Sequence, residues 1–330
     1  MTTLIPHGLH HVTAVTANAQ ANLDFYTRVL GLRMVKQTVN QDDVSAYHLF
    51  FADGVGSPGS DLTFFEWRLP RQQRGNNEIS RTSLRVASQE SLEWWAAWLK
   101  QHGVQAEPIT EILDRPTLRF EDPEGQRLAL VVDGGLGDPA HPWDLSPVPA
   151  EHQIRGLGPS ELTIPSLFPT SQVLSKVYGL TAAGSYPDPE SPAHTVHVFQ
   201  MGEGGAHAEL HLRVRPDLKP AQSGAGAVHH LALRVRDEDY RAWHLKLSGL
   251  GLRTSGEVDR HWFRSIYFRE PQGILIELAT DGPGFATDEP LETLGEKVVM
   301  APFLEPHRAQ IEAGLTPLKY DPRSLKEQNA

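Results

Sequence analysis

The sequence contains no cysteine, so it can form neither a disulfide bridge nor a thiolate metal site. It has no run of about 18 apolar residues, which argues against a transmembrane helix. Residues 1–7 lack a basic stretch followed by an apolar one, so no secretory signal is expected. These three features predict a cytoplasmic protein that has no membrane partner.

Positive charge is also scarce. The chain of 330 residues has 30 basic and 41 acidic residues, which gives a formal net charge of −11. An acidic surface repels nucleic acid, so a nucleic-acid partner is not expected and a small molecule is. Without cysteine, a metal must be held by His, Asp or Glu, and these ligands suit Fe(II), with Mn(II), Zn(II) or Ni(II) as alternatives.

One pattern of apolar residues occurs four times along the chain. Each copy begins with an apolar strand, continues with an amphipathic helix that ends at glycine, and finishes with further strands. In the first copy this helix is predicted over residues 19–30, and Gly31 ends it. A stretch rich in Pro and Gly, residues 133–149, is predicted to link the two halves of the chain.

The four copies predict an α+β fold in which four β-α-β-β-β modules form two curved mixed sheets. The predicted bounds are residues 1–140 for the first half, with modules over 8–67 and 80–133, and residues 141–285 for the second half, with modules over 153–214 and 226–280. Residues 286–330 have few periodic segments and are expected to form a tail that wraps the surface.

Two histidine pairs stand in the first strands of the first and fourth modules, His10-His11 and His229-His230. Side chains alternate between the faces of a strand, so one histidine of each pair should face the concave side. Alternation alone does not decide which one. Glu277 is a lone carboxylate in the last strand of the fourth module, where burial is costly unless it is paired or metal-bound. Two imidazoles and one carboxylate form the triad that leaves three positions open on Fe(II).

This arrangement resembles the vicinal oxygen chelate superfamily, which includes glyoxalases, bleomycin resistance proteins and extradiol dioxygenases. The resemblance covers roughly residues 8–285 and implies a metal on the concave side of a curved sheet. In that superfamily the ligand directly precedes the apolar run. The resemblance therefore implies His11 and His230 as ligands, together with Glu277.

Several segments resemble the hydroquinone-type ring-cleaving dioxygenases. These segments are residues 9–13, 47–53, 91–95, 229–232 and 277–285. The resemblance implies that the first and fourth modules share the metal and pair in space. It also implies an Fe(II)-dependent enzyme that opens a hydroquinone-type or catechol-type aromatic diol with O₂. The ring substituents are left open, and so is assembly into a homo-oligomer.

The same resemblance implies catalytic roles beside the metal for His10, Thr13, His229, Arg260 and Tyr267. A histidine there could transfer a proton as a phenol binds. Arg260 and Tyr267 could orient a substrate hydroxyl or stabilise negative charge on oxygen. The alternative for these residues is an ordinary role in packing or at the surface.

Two other functions remain open. If Glu66, in the last strand of the first module, also bound the metal, four ligands would favour a glyoxalase-like isomerase or lyase with Ni(II) or Zn(II). A metal-free protein that binds a small aromatic compound is a third interpretation. A cluster in the third module could form a second metal site, but no carboxylate is well placed beside it; its members are His194, His197, His207 and His211. Three tryptophans have a helical spacing more typical of a core than of an aromatic cage; they are Trp94, Trp95 and Trp98.

Overall fold

Two curved mixed sheets of eight strands each form the framework of the computed structural model, which describes residues 4–327. The predicted α+β fold of two curved sheets is confirmed. Residues 1–3, part of the start considered for a secretory signal, and 328–330, part of the predicted tail, lie outside the described residues. None of the helices within the described range combines the length and the apolar character needed to span a bilayer.

The strands and helices alternate in a regular order along the chain. The strands of the first half are β1 (Leu9–Thr16), β2 (Arg33–Asn40), β3 (Asp43–Ala52), β4 (Asp61–Glu66), β5 (Glu78–Val86), β6 (Thr110–Ile112), β7 (Arg115–Glu121) and β8 (Arg127–Val132). Those of the second half are β9 (Leu157–Ile164), β10 (Thr181–Pro187), β11 (Thr195–Gln200), β12 (Glu209–Val214), β13 (Val228–Val235), β14 (Val258–Asp259), β15 (Arg264–Arg269) and β16 (Leu275–Thr280). The α-helices are α1 (Ala19–Asp24), α2 (Gln89–Gln101), α3 (Leu167–Gln172), α4 (Tyr240–Gly249), α5 (Arg308–Gly314) and α6 (Ser324–Glu327). Short 3-10 turns occupy Ala150–His152, Ala206–Ala208, Asp237–Asp239, Phe285–Thr287, Leu291–Thr293 and Glu305–His307.

Each sheet joins strands that are distant in the sequence. The first sheet has the order β14-β15-β16-β13-β1-β4-β3-β2, and the second has the order β10-β11-β12-β9-β5-β8-β7-β6. The antiparallel pair β1–β13 lies at the centre of the first sheet and the antiparallel pair β5–β9 at the centre of the second. Strands from the beginning and the end of the chain therefore meet in one sheet.

Alternation along the strands separates a helix-facing side from a concave side. In β1 and β4 the apolar residues Val12 and Phe64 belong to the main core, whereas Thr13 and Thr63 bond to each other on the concave side. Helix α2 packs into the same core through buried residues such as Trp95. The tryptophans of α2 are thus packing residues, and Trp94 and Trp98 stack on each other with ring centroids 5.0 Å apart.

The helix predicted over residues 19–30 is less regular than expected. Helix α1 ends at Asp24 and continues as a wider π-helical turn, Phe25–Val29, in which the Leu30 N–H donates to the Phe25 carbonyl. The third module repeats this feature, because α3 continues as the π-helical turn Val173–Val177. Apolar spacing does not distinguish the two kinds of turn, since both bury the same side of the chain.

The repeat pattern did not indicate three of the strands, β6, β10 and β14. All three lie at the edges of their sheets. Strand β10 is mostly exposed, so it carries no alternation of buried and exposed residues. Edge strands with little burial leave no periodic signal in the sequence.

The tail after β16 differs from the expected surface segment. Phe285 and Leu294 are buried in an apolar cluster on the concave side of the first sheet. The ammonium group of Lys36 is fully buried and donates hydrogen bonds to the Phe285 carbonyl and to the carboxylates of Asp288 and Glu289. This part of the tail is therefore fixed to β2 and closes one side of the concave face.

We predict that Lys36→Met lowers the free energy of unfolding by about 3 kcal/mol, because the Glu289 carboxylate would lose its buried counter-ion. Methionine preserves much of the aliphatic stem, so the loss would report on charge. Urea denaturation followed by circular dichroism measures the change. The control is Arg308→Met, whose ion pair with Glu305 is at the surface and should contribute little. Equal effects of the two substitutions would contradict the prediction.

Candidate metal centre

Three buried side chains from the first sheet converge at the centre of its concave face. His11 lies on β1, His230 on β13 and Glu277 on β16. The two histidine Nε2 atoms are 3.3 Å apart, and Glu277 Oε2 lies 3.1 Å from the first and 2.9 Å from the second. Among residues 4–327 these form the one group of three His, Asp or Glu side chains whose ligand atoms meet in this way.

Strand pairing explains why these residues meet although they are far apart in the sequence. His11 pairs with Ala232 across the β1–β13 ladder, and Ala232 pairs with Glu277 across the β13–β16 ladder. Residues that pair across neighbouring strands project from the same face. The three strands thus carry the group on one face without any contribution from a loop.

Two β-bulges place the other member of each histidine pair beside the group. The β1–β13 register shifts between Leu9 and His11, so that His10 is the extra residue, and a second shift leaves His229 as the extra residue on β13. Strict alternation would turn neighbouring side chains to opposite faces, but a bulge changes their direction. Both histidines of each pair consequently lie close together, which differs from the predicted alternation.

Hydrogen bonds at His10 determine which nitrogen of His11 carries the proton. The Thr280 carbonyl can only accept, so His10 donates to it from Nε2 over 3.0 Å. Neutral His10 then accepts at Nδ1 from the Nδ1–H of His11, over 2.9 Å. Burial lowers the pKa of His10 to about 3, which keeps the ring neutral. His11 is left with a lone pair on Nε2, directed at the group.

The second histidine pair has the same geometry. His229 Nδ1 and His230 Nδ1 are 2.8 Å apart. Burial, followed by the neighbouring His230, lowers the pKa of His229 to about 3. A hydrogen bond to the other ring nitrogen is what fixes the orientation of a metal-binding histidine.

Glu277 is held with one oxygen free. Its Oε1 accepts a hydrogen bond from Ser265 Oγ on β15. Its Oε2 is buried and, despite its short distances to both Nε2 atoms, makes no hydrogen bond of acceptable angle. Burial alone would raise the pKa of Glu277, but positive charge on the neighbouring imidazoles lowers it well below its usual range, and a cation bound between these groups would act in the same direction. The carboxylate is therefore an anion whose free oxygen faces two imidazole nitrogens.

This donor set fits one small divalent cation. Ligand atoms at right angles, each about 2.1 Å from an ion, are about 3.0 Å apart. The separations within the group range from 2.9 to 3.3 Å. Lone pairs brought this close repel one another unless a cation lies between them. Two neutral imidazoles and one carboxylate are ligands that suit Fe(II), Mn(II) or Zn(II).

A cavity of about 40 Å³ opens beside the group. Its lining residues are His11, Asn40, Gln41, Asp42, His48, Phe50, Phe65, His230, Arg260, Trp262, Phe263 and Tyr267. Aromatic side chains form much of the wall, and the polar groups come from several segments of the chain. Apolar walls with a few convergent polar groups are typical of a site for a small organic molecule.

Arg260 and Tyr267 lie in this cavity and bond to each other. Arg260 Nε donates to Tyr267 Oη over 3.2 Å, and Nη2 donates to Asp42 over 2.9 Å. Burial raises the pKa of Tyr267, and so does the negative charge of Glu277, so the phenol stays neutral. Burial alone would lower the pKa of Arg260, but Tyr267 and Asp42 raise it. The pair thus presents a permanent cation beside a neutral hydroxyl.

The other three residues implied by the resemblance do not line the cavity. His10 and His229 lie behind the two inner histidines and bond to them, as described above. Thr13 is fully buried and shares a 2.7 Å hydrogen bond with Thr63 on β4. His10 and His229 contact the cavity only through His11 and His230. Thr13 does so only through Thr63, which bonds to His48.

The sequence did not indicate two residues of the site, Ser265 and His48. His48 lines the cavity between the rings of Phe50 and Phe65, at centroid distances of 4.0 and 4.4 Å. Its Nε2 bonds to Thr63 over 3.0 Å, and burial lowers its pKa well below the usual value. A signal in the sequence was available for His48. Like Glu277, it is a polar residue at an inward position of an otherwise apolar strand.

Glu66 does not join the group. Ala232, two positions after His230, pairs with Glu277. Thr13, two positions after His11, pairs with Thr63. Thr63 therefore has the position in the first module that Glu277 has in the fourth. Glu66 instead accepts a hydrogen bond from the backbone at the start of α1. The alternative of a fourth carboxylate ligand from this strand is therefore not supported.

The histidines of the third module do not form a second group of this kind within the described residues. His211 bonds to Tyr186 and to Glu209, and His194 bonds to Ser191. These contacts are those of ordinary polar packing. The second sheet has a different set of charged residues at its centre.

Comparison with known proteins gives consistent results. The model of the Glyoxalase/Bleomycin resistance protein/Dioxygenase superfamily matches residues 8–130 and 170–278. A relative named as a ring-cleaving dioxygenase, MhqA of Bacillus subtilis, is 46% identical over 315 residues, which cover 95% of this chain and 99% of the relative. The chlorohydroquinone/hydroquinone 1,2-dioxygenase of Sphingobium indicum is 32% identical, over 90% of this chain and 92% of that protein. A crystal structure described as a dioxygenase from Bacillus subtilis superposes with a TM-score of 0.87 at 36% identity, covering 96% of this chain and 99% of that one.

We predict that Ser265→Ala weakens Mn(II) binding by about 10- to 100-fold, because the Glu277 carboxylate would lose the bond that orients it. Isothermal titration of metal-free protein with Mn(II) measures the affinity. Ser171→Ala is the matched control, since that hydroxyl bonds only within its own segment, to the Phe168 carbonyl. An unchanged affinity in the Ser265 variant would contradict the role of this bond.

Proposed function

The chain belongs to the Glyoxalase/Bleomycin resistance protein/Dioxygenase superfamily, and on that premise we propose that it is an Fe(II)-dependent dioxygenase that cleaves the ring of a hydroquinone-type aromatic diol. The observation that carries the proposal is the convergence of His11, His230 and Glu277 beside a cavity with aromatic walls. Two relatives support it, one named as a ring-cleaving dioxygenase at 46% identity and one named as a chlorohydroquinone/hydroquinone 1,2-dioxygenase at 32% identity.

His11, His230 and Glu277 would hold the metal. Fe(II) held by two imidazoles and one carboxylate supplies open positions and the redox chemistry that an aromatic diol needs to react with O₂. The remaining work falls to the protein, which must hold the ring, exclude water and manage protons.

The cavity walls would hold the ring of the substrate. Phe50, Phe65 and Trp262 offer apolar surface, and the tail segment that contains Phe285 closes the concave side behind Phe50. An apolar enclosure excludes water and strengthens the electrostatic contacts inside it.

Arg260 and Tyr267 would hold a substrate oxygen. The guanidinium stays charged and the phenol stays neutral, so together they stabilise negative charge that develops on a phenolic oxygen. His48 uses Nε2 for Thr63, which leaves Nδ1 for a second contact with the substrate. These polar groups, together with the metal, offer contacts for more than one hydroxyl group of the ring.

The histidine pairs would set the basicity of the two histidine ligands. His10 links the Nδ1–H of His11 to the Thr280 carbonyl, and these hydrogen bonds increase the electron density on His11 Nε2, the atom that would bind the metal. His229 offers the corresponding link from His230 and is closer to solvent than His10. We propose that these links tune the basicity of the ligands as the diol loses its proton.

Hydroquinone is favoured over catechol by one observation alone. The relative from Sphingobium indicum carries hydroquinone in its name and covers 90% of this chain. A glyoxalase-like isomerase is less well supported, because Glu66 is absent from the ligand group. A metal-free binding protein would have no use for three buried lone pairs that repel one another.

We predict that protein loaded anaerobically with Fe(II) consumes one O₂ for each hydroquinone molecule when air is admitted. An oxygen electrode measures uptake, and mass spectrometry of the product should show addition of two oxygen atoms. His230→Ala, which removes one proposed ligand, should abolish uptake. An α-ketoaldehyde–thiol adduct should not react. The proposal would be overturned if no hydroquinone or catechol supported O₂ uptake. It would also be overturned if the adduct were the one compound that reacted.

We predict that Tyr267→Phe lowers kcat/KM for the diol by about 10- to 100-fold, because it removes the hydroxyl that bonds to Arg260. Metal affinity should stay unchanged, since Tyr267 is not among the proposed ligands. Steady-state oxygen uptake and Mn(II) titration separate the two effects. Tyr240→Phe is a control, because that buried hydroxyl bonds to the Ser265 carbonyl outside the cavity. An equal loss in both variants would point to a general loss of stability.

A further inference from the structure

The second sheet repeats the central register of the first with different residues. In the first sheet Thr13 of β1 pairs with His230 of β13. In the second sheet Glu161 of β9 pairs with Arg81 of β5. Each pair lies directly beside a register shift of its own antiparallel ladder. Arg81 thus has the position of one proposed metal ligand.

The carboxylate ligand is also replaced in the second sheet. Glu277 pairs with the residue two positions after His230. Ala129 pairs with the residue two positions after Arg81. A methyl group therefore stands where the first sheet has its carboxylate ligand, and the acidic residue of this centre is Glu161, which pairs with Arg81 instead.

A second arginine replaces the tyrosine of the first cavity. Tyr267 pairs with Glu277 across β15 and β16. In the second sheet Arg119 pairs with Ala129 across β7 and β8. The second sheet therefore has guanidinium groups, those of Arg81 and Arg119, at the positions of His230 and Tyr267 in the first sheet.

These residues line a cavity on the concave face of the second sheet. Its volume is about 30 Å³, compared with about 40 Å³ for the cavity of the first sheet. Arg81, Arg115 and Arg119 lie on its wall, together with Tyr186 and His211. Three cations and one carboxylate, that of Glu161, thus line this space, and of the three arginines Arg81 and Arg119 are buried.

Each of the three arginines has a buried N–H without an acceptor. The atoms are Arg81 Nε, Arg115 Nη1 and Arg119 Nε, and none has a hydrogen-bond partner among residues 4–327. A buried donor left without a partner costs roughly 1–3 kcal/mol, and more when it is charged. Three such donors on one cavity wall indicate that a partner is missing from the chain itself.

Arg119 is the least compensated of the three. Arg81 bonds to Glu190, and Arg115 bonds to Glu209. Arg119 as a whole residue is only 5% exposed. Its guanidinium group makes no ion pair or side-chain hydrogen bond with another described residue. A buried guanidinium that lacks a counter-ion is unfavourable unless an anion joins it.

The carboxylates nearby are already engaged. Glu209 accepts from Arg115 and lies 3.1 Å from His211 Nε2. Glu161 accepts from Ser80, and Glu190 is shared by several arginines. Glu161 lines the same cavity as Arg119, but no carboxylate of the described residues forms an ion pair with Arg119.

We propose that the concave face of the second sheet is a binding site for a small oxyanion, such as sulfate, phosphate or a short carboxylate, with Arg119 as its principal contact and Arg81 and Arg115 beside it. Guanidinium groups suit this class because they present N–H donors in a planar fork that matches the oxygens of an oxyanion. The site is distinct from the proposed metal centre and does not depend on the reaction that centre performs.

Sulfate is the probe, because it does not precipitate Fe(II). Isothermal titration of metal-loaded protein with sulfate, at ionic strength held constant with chloride, should give saturable binding at one site per chain. Arg119→Gln should weaken binding at least 10-fold, whereas Arg119→Lys should lose less because it retains the charge. The matched control is Arg241→Gln, a surface residue 4.0 Å from Glu257, which should bind as the wild type does.

His230→Ala, titrated without metal beside metal-free wild type, separates this site from the metal centre, since the sulfate affinity of the two should be the same. Circular dichroism establishes that each variant is folded before titration. The proposal is overturned if the wild type shows no saturable binding, if Arg119→Gln binds as tightly as the wild type, or if His230→Ala abolishes binding.

Discussion

The rest of the site depends on one constraint, the close approach of three ligand atoms that strand pairing forces together. The β1–β13 ladder brings His11 next to His230, and the β13–β16 ladder adds Glu277. Their ligand atoms are 2.9–3.3 Å apart in a dry environment, where the energy of the arrangement is high without a cation. The bulges, the outer histidines and Ser265 all maintain this geometry. Each restrains the orientation of one of the three side chains and so keeps its ligand atom close to the other two.

The two sheets show how one backbone arrangement serves opposite charges. Both have an antiparallel pair at the centre, register shifts on either side of it, and a concave face enclosed by outer strands. The first sheet has neutral imidazoles and a carboxylate at the centre, whereas the second has Arg81 and Arg119. The fold fixes which positions converge, and the residue types decide whether the converging groups attract a cation or an anion.

Much of the framework could be predicted from the residues, because burial of one strand face leaves a period of two in the sequence. That period indicated the long inner strands and, with the family resemblance, the two-sheet fold. It could not indicate edge strands such as β10, which are exposed, or the bulges at His10 and His229, which interrupt the period. It also could not indicate Ser265 and His48, since a short polar residue or a lone histidine in a strand has many ordinary roles. The face on which Glu66 lies could not be decided from the sequence, because a register cannot be counted across loops of unknown length.

The pairing of β1 with β13 also has a consequence for how the chain folds during synthesis. Strand β1 is among the first segments to leave the ribosome, whereas its partner follows more than half a chain later. Until then one edge of β1 stays unpaired, and unpaired edges attract other strands. Contacts between such distant segments form slowly, since a long loop must first be closed. The first sheet is therefore completed late, and the second sheet, whose strands β5–β12 are contiguous in the chain, can form before it.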